Sequence, residues 1–333
     1  MGIERIFLEH GSGGRATSQL LEEIILPILG EVSLLDSALL EGQSWEGLAF
    51  TTDSFVVDPL FFPGGDIGSL AVHGTVNDLA MVGAAPLFLS VALILEEGLE
   101  TAILRKVLSS LAKAAEEARV KVICGDTKVV PRGKGDKIFI NTSGLGRLGK
   151  WRPAPEKLLP GDKILVSGPI AEHGITVLAA REGLGLQGLK SDSQALHQIV
   201  LPLLEKFGSQ IKFLRDPTRG GLASVLHECA TECGFSFLLE EEKIPLSPQV
   251  RAGCEILGLD PLYLACEGRF VAICRGEMAE NILHFLKSFE ASSQAAIIGE
   301  VIPFVDFPLF LKTRIGGMRP VPPLSGEPLP RIC

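Results

Sequence analysis

Apolar residues recur at helical spacing over Ala16–Leu29, Leu70–Met81 and Ile103–Ala118, which predicts three helices in the first half of the chain. Between and after them, Leu48–Val57, Leu87–Leu95, Lys121–Cys124 and Lys137–Leu148 read as strands, the last two separated by a glycine-rich loop. A stiff connector follows, with three prolines (Pro153, Pro155 and Pro160) in eight residues. Beyond it the pattern predicts strands at Lys163–Ser167, Phe235–Leu239, Leu262–Cys274, Ala295–Ile302 and Pro308–Thr313. Helices are predicted at Gly174–Ala180, Ser193–Phe207 and Gly220–Cys233, the last introduced by Asp216-Pro217-Thr218. The segment from Met318 to Cys333 differs in kind. Five of its 16 residues are proline, and it reads as an extended tail able to reach roughly 50 Å. The expected division is an N-terminal domain at 1–152, a C-terminal domain at 153–317 and a proline-rich tail at 318–333.

The chain has 333 residues, room for two domains of about 150. A mean hydropathy of +0.32 argues against disorder. The net charge of −9 speaks against broad nucleic-acid binding, because an acidic surface repels phosphate backbones. The longest uncharged run, Leu79–Leu95, contains Gly83, Pro86 and Ser90 and falls short of the ~20 residues a membrane span needs. It reads as a buried helix end followed by a buried strand. No signal peptide is evident, and seven cysteines without a CxxC motif suit a reducing cytoplasm. Cys229 and Cys233 share a helix face and read as small apolar residues rather than a metal pair.

Several acids lie beside glycine or at expected element ends: Asp53 in Thr-Thr-Asp-Ser, Asp78 in Gly-Thr-Val-Asn-Asp, Asp126 in Gly-Asp-Thr-Lys and Asp36 in Leu-Asp-Ser-Ala. Each alone reads as a cap or turn residue. Together they suit magnesium, which takes oxygen ligands from a few carboxylates, phosphates and water. Gly11-Ser-Gly-Gly-Arg15 and Arg132-Gly-Lys-Gly135 pair glycine with a cation, as phosphate-binding loops do, although neither is a Walker sequence. Arg215–Gly221 places two arginines at the start of a predicted helix, where the dipole favours an anion. Glu267, inside the apolar stretch 262–274, needs a partner or a raised pKa and is a general-base candidate. His10, His73 and His173 have no evident partner, and neither a Ser-His-Asp nor a GxSxG signature occurs.

These motifs, with Phe61–Gly68 and the closing Pro-Arg-Ile-Cys, resemble the HypE family, the carbamoyl dehydratases of nickel–iron hydrogenase maturation, almost end to end. The resemblance implies an α/β (α+β), two-domain fold like that of aminoimidazole ribonucleotide synthetase. In it, N-terminal domains pair into a homodimeric barrel, the C-terminal domain is α/β and the tail is flexible. It further implies ATP and Mg2+ as cofactors. The partners it implies are HypF, a carbamoyltransferase, and a HypC–HypD iron scaffold that receives the cyanide. By motif, Cys333, Glu267 and Lys128 are the catalytic set. Asp53, Asn77, Asp78, Gly125, Asp126, Thr127 and Lys134 bind the nucleotide, and Asp53, Asp78 and Asp126, with Asp36 a further candidate, hold the magnesium. The family carries Asn where this chain has Cys266, which implies a weaker hydrogen bond beside the carboxylate.

Two other readings share these residues. One is an ATP-dependent small-molecule kinase or synthetase of the same superfamily with an inert tail, and the other is a nucleotide-regulated assembly scaffold. Cys333 at the tail tip argues against the first, and Lys128 with Glu267 against the second.

Overall fold

The computed structural model describes residues 15–20, 22–23, 38–40, 47–326 and 329–333. Asp36 and the Gly11–Gly14 loop lie outside these residues, and of the first predicted helix only α1 (Arg15–Leu20) and residues 22–23 are described.

The first half is built on a five-stranded sheet in the order β1-β2-β7-β5-β6. Its strands are β1 (Ala38–Leu40), β2 (Leu48–Phe55), β5 (Ala84–Glu96), β6 (Lys121–Val130) and β7 (Ile138–Leu148). The short hairpin β3 (Phe61–Phe62) and β4 (Gly65–Asp66) stands apart. In β2 the burial alternates: Ala49, Thr51 and Phe55 face inward, while Phe50, Thr52 and Ser54 face out. The inward face packs against α2 (Ile67–Met81), which is buried along nearly its whole length. Asp66 caps α2 by accepting from the Gly68 and Ser69 N–H groups, at 2.7 and 3.2 Å. Helix α3 (Thr101–Glu117) crosses between the parallel strands β5 and β6 and packs on α2 at Gly68, where a Cβ would strike the Val107 carbonyl. The outer face of the sheet and its β6 edge leave Phe50, Ile94, Val122, Ile123 and Val129 exposed, Ile123 and Val129 by 60% and 66%.

The second half holds a seven-stranded sheet in the order β14-β13-β10-β12-β8-β11-β9. Its members are β8 (Lys163–Val166), β9 (Ile211–Arg215), β10 (Ser236–Glu240), β11 (Val271–Cys274), β12 (Ala296–Ile302), β13 (Leu309–Lys312) and β14 (Met318–Pro320). The helices here are α4 (Glu172–Arg181), α5 (His197–Phe207), α6 (Gly221–Cys233), α7 (Pro248–Leu257) and α8 (Ala279–Leu286). The proline-rich connector lies against this half: Trp151 donates to the Ile211 carbonyl at 2.8 Å, and Lys212 pairs with Asp162 at 2.6 Å, both nearly buried. One apolar cluster runs from Phe55 and Ile67 in the first half to Ile273 and Ile332 in the second, so the halves share a core.

Four expectations change. The strand at Lys121–Cys124 continues to Val130, which puts Asp126 and Lys128 in mid-strand instead of at a turn. The long strand at 262–274 shrinks to Val271–Cys274. Pro261–Tyr263 forms a helical turn, and the backbone from Leu264 to Phe270 is irregular. Helices α7 and α8 fall outside the predicted elements; α7 buries only Val250, Gly253 and Cys254, too thin an apolar stripe to register. Finally, the tail lies along the body. Met318–Pro320 joins the sheet as β14, and Val321, Leu324, Leu329 and Ile332 are buried. Burying four apolar side chains outweighs the extended preference of the prolines.

Candidate active site

The inward face of β2 and the adjoining turn of α2 bring two of the predicted carboxylates together. Asp53 points inward beside Gly74, where an added Cβ would lie 3.3 Å from its Oδ2. Asp78, one turn further along α2, accepts from the Thr51 hydroxyl at 2.7 Å. Burial pushes the Asp53 pKa up, while Arg219 and the Ser54 N–H pull against it.

The tail reaches this place. Just past the end of β2, the Val56 N–H donates to the Cys333 carbonyl at 2.9 Å, and the Asp58 N–H donates to the Arg331 carbonyl at 3.2 Å. Three side chains hold the segment. Arg181, at the end of α4, donates to the Pro330 and Arg331 carbonyls at 2.8 and 2.7 Å and also to the Asp58 carbonyl. His173, fully buried, meets the Ile332 carbonyl through Nε2 at 2.8 Å and Ser191 Oγ through Nδ1, also at 2.8 Å. Since a carbonyl can only accept, Nε2 carries the proton. Burial holds the His173 pKa down at about 4, so the ring stays neutral. Arg331 donates to the Val56 carbonyl at 2.9 Å and pairs with Asp136 at 2.5 Å.

Arg219, in the loop before α6, is the central cation. Burial works to lower its pKa, but negative charge at Cys333, Asp53, Glu267 and Asp78 outweighs burial and raises it. Glu267 is buried, with Oε1 unpartnered among the described residues. Its pKa is raised well above the usual carboxylate value, first by burial and then by Asp216, Asp53 and Asp192, while Arg219 opposes the shift. The arrangement joins a thiol-bearing residue, two half-buried carboxylates, a deeply buried carboxyl and a guanidinium. It can bind an anion, neutralise charge on it and take up a proton.

Other predicted residues fall elsewhere. Asp126 and Lys128 stand exposed on the β6 edge, paired with each other at 2.6 Å. Register places Asp126 opposite Ala92, Ala92 opposite Asn141 and Asn141 opposite Ser54. Three strand spacings therefore separate Asp126 from the residue after Asp53, about 14 Å, so Gly125, Asp126, Thr127 and Lys128 do not join the cluster within one chain. Lys134 lies in an exposed turn whose Gly133 and Lys137 N–H groups are held by Glu96 at 2.5 and 3.0 Å. Asn77 is buried, and its amide makes three hydrogen bonds. Nδ2 donates to the Gln194 and Glu267 carbonyls at 3.0 and 3.2 Å, and Oδ1 accepts from the Leu196 N–H at 2.7 Å. These bonds tie Asn77 to the backbone at Gln194, Leu196 and Glu267. The Cys266 thiol accepts from the Ala171 N–H at 3.2 Å, at the start of α4. Sequence reasoning missed Arg181, His173 as a tail contact, and Arg219 as an individual residue. Only the arginine–glycine motif around Arg219 was a signal.

No group of three or more His, Cys, Asp or Glu side chains is arranged to hold a metal ion among the described residues. Asp53 and Asp78 nonetheless fit magnesium, which leaves most of its positions to phosphate and water. No helix among the described residues is long and apolar enough to cross a membrane.

Residues 35–148 match the family of AIR synthase related proteins, N-terminal domain, and residues 160–306 match its C-terminal domain. The fold and the site thus define an AIR synthase related protein with both domains present. Carbamoyl dehydratase HypE of Azotobacter vinelandii is 49% identical over 97% of this chain and 96% of its own length. A crystal structure of the hydrogenase maturation protein HypE in complex with ATP is 44% identical and superposes with a TM-score of 0.83, covering 99% of this chain and 100% of the other. HypE in a HypE–HypF complex is 43% identical with a TM-score of 0.84, over 93% and 99%. The chain belongs to the HypE family of carbamoyl dehydratases, enzymes of hydrogenase maturation.

Proposed function

We propose that this chain uses ATP to dehydrate an S-carbamoyl group carried on Cys333 to a thiocyanate, the source of a cyanide ligand for hydrogenase iron. The observation that carries the reading is the seating of Cys333 beside Val56, within the field of Arg219 and of the Asp53, Asp78 and Glu267 carboxyl groups. An amide oxygen is a poor leaving group. Its attack on the γ-phosphorus of ATP releases ADP, and one N–H proton passes to solvent as the O-phosphorylated imidate forms. The second N–H proton goes to Glu267 as the C–O bond breaks. Phosphate departs with the former amide oxygen, leaving S–C≡N. A base with a raised pKa is strong once ionised, and Arg219 favours the ionised form. Asp53 and Asp78 would hold magnesium, which when bound offsets phosphate charge.

The separation of Lys128 from Cys333 within one chain favours a homodimer in which the β6 edge of a second copy completes the site. The exposed apolar face around Phe50, Ile94, Ile123 and Val129 suits such pairing. The tail would leave its seat to be loaded by HypF and return for dehydration, and the cyanide would pass to HypC–HypD in the cytoplasm. The ATP-bound and HypF-bound family structures support the nucleotide and the first partner.

The test loads the chain with a HypF carbamoyltransferase and carbamoyl phosphate, removes nucleotide, and then supplies Mg-ATP or a non-hydrolysable analogue. Mass spectrometry of the Cys333 peptide is expected to show a carbamoyl adduct that loses one water with ATP alone, and no adduct in Cys333→Ala. Loss of water with the analogue, or an adduct on the Cys333→Ala chain, would refute the reading.

A further inference from the structure

Glu267 sits on irregular backbone, yet both polar groups of its peptide are held by side chains from other parts of the chain. Its N–H donates to Asp192 Oδ1 at 3.0 Å, and its carbonyl accepts from Asn77 Nδ2 at 3.2 Å. Gly268 lets the two segments touch: a Cβ there would collide with the Asp192 carbonyl oxygen. Gln194 adds a bond to the Gly268 carbonyl at 2.9 Å. The Asp192 segment is itself fixed from three sides. Ser191 donates its N–H to the Pro63 carbonyl and meets His173 through Oγ, and Ser193 Oγ meets His73 Nδ1 at 2.9 Å. The Asp192 side chain is wholly buried. Its Oδ2 lies 3.7 Å from Arg269 Nε and has no hydrogen-bond partner among the described residues. This buried group, costly to desolvate, is held by Arg269 and by two backbone N–H groups, its own and that of the proposed base.

We propose that Asp192 is a positioning residue for Glu267, fixing the peptide that aims the buried carboxyl at the group on Cys333. The inference rests on the dehydration reading above. Asp192 acts through the Glu267 main chain, opposite the Asn77 contact. The same His173 that holds the Ile332 carbonyl also holds Ser191, next to Asp192, so the seat of the tail and the mount of the base are adjoining parts of one hydrogen-bonded segment.

The experiment uses the full chain, loaded with carbamoyl as before, and follows water loss in a single turnover after Mg-ATP is added. Asp192→Ala is expected to load at the wild-type rate and keep its dependence on ATP concentration, while the dehydration step slows about tenfold to a hundredfold, as misaimed catalytic groups do. Asp192→Asn keeps an oxygen facing the Glu267 N–H and is expected within about threefold of wild type. A loaded Asp192→Ala chain that dehydrates at the wild-type rate overturns the proposal. So does a loaded Asp192→Asn chain slowed tenfold or more, and that outcome decides even if the alanine variant does not fold. If the loaded wild-type chain loses no water, it is the dehydration reading that fails.

Discussion

Glu267 is the residue whose environment says most. Its carboxyl is buried, with one oxygen unpartnered among the described residues, beside Asp216, Asp53 and Asp192, so the neutral form is favoured. An unfolded chain would titrate this group near 4.5. Because the folded pKa is higher, the folded state holds a proton that the unfolded state releases. Stability is therefore lost as pH rises from the unfolded pKa to the folded one, by about 1.4 kcal/mol for each pH unit between the two. Glu267→Gln removes this dependence. Its stability advantage over wild type should grow with pH, and chemical denaturation at about pH 5 and about pH 8 measures it. An advantage that instead grew toward acid would contradict the buried, raised carboxyl. The same variant should accept the carbamoyl group and stall before water loss; dehydration at the wild-type rate would remove Glu267 from the role of base.

At the scale of elements, the segment 329–333 behaves as an added edge. Two main-chain bonds tie it to the residues after β2, and α4 supplies Arg181 and His173 from the other side. Both Arg181 bonds to the tail are charge-assisted, worth about 1.5–3 kcal/mol each when lost from a half-buried site. Arg181→Ala is expected to raise the open population of the tail and to speed tryptic cleavage after Arg331 about tenfold or more, read by mass spectrometry. An unchanged cleavage rate would show that Leu329 and Ile332 burial alone holds the segment. Strand β6 is the opposite case. It is an edge with exposed apolar residues, on which Lys128 pairs with Asp126 at the surface.

For the whole molecule, the question is whether one chain suffices. The ~14 Å between Asp126 and the Asp53 neighbourhood follows from strand register, which a change of side-chain rotamer cannot alter. If a second copy supplies Lys128, then Lys128→Ala and Glu267→Gln chains, each inactive alone, should complement one another. Random re-pairing makes half the dimers mixed, each with one intact site, so the mixture should recover about a quarter of the wild-type dehydration. A mixture as inactive as its components would argue against sharing between copies.

The sequence by itself determined the two-part division and most of the strands and helices that build it, because period-two and helical patterns are local. It also marked Glu267 and Cys333, a charge in an apolar stretch and a thiol at the end of an unusual tail. Only the tertiary structure decided that Asp126 and Lys128 stand apart, since strand register depends on partners far along the chain. It alone decided that the tail is seated and that His173 and Arg181 hold it. It also assigned Asn77 and Asp192 to the Glu267 peptide, because a hydrogen bond across 190 residues, as between Asn77 and Glu267, leaves no local pattern to read.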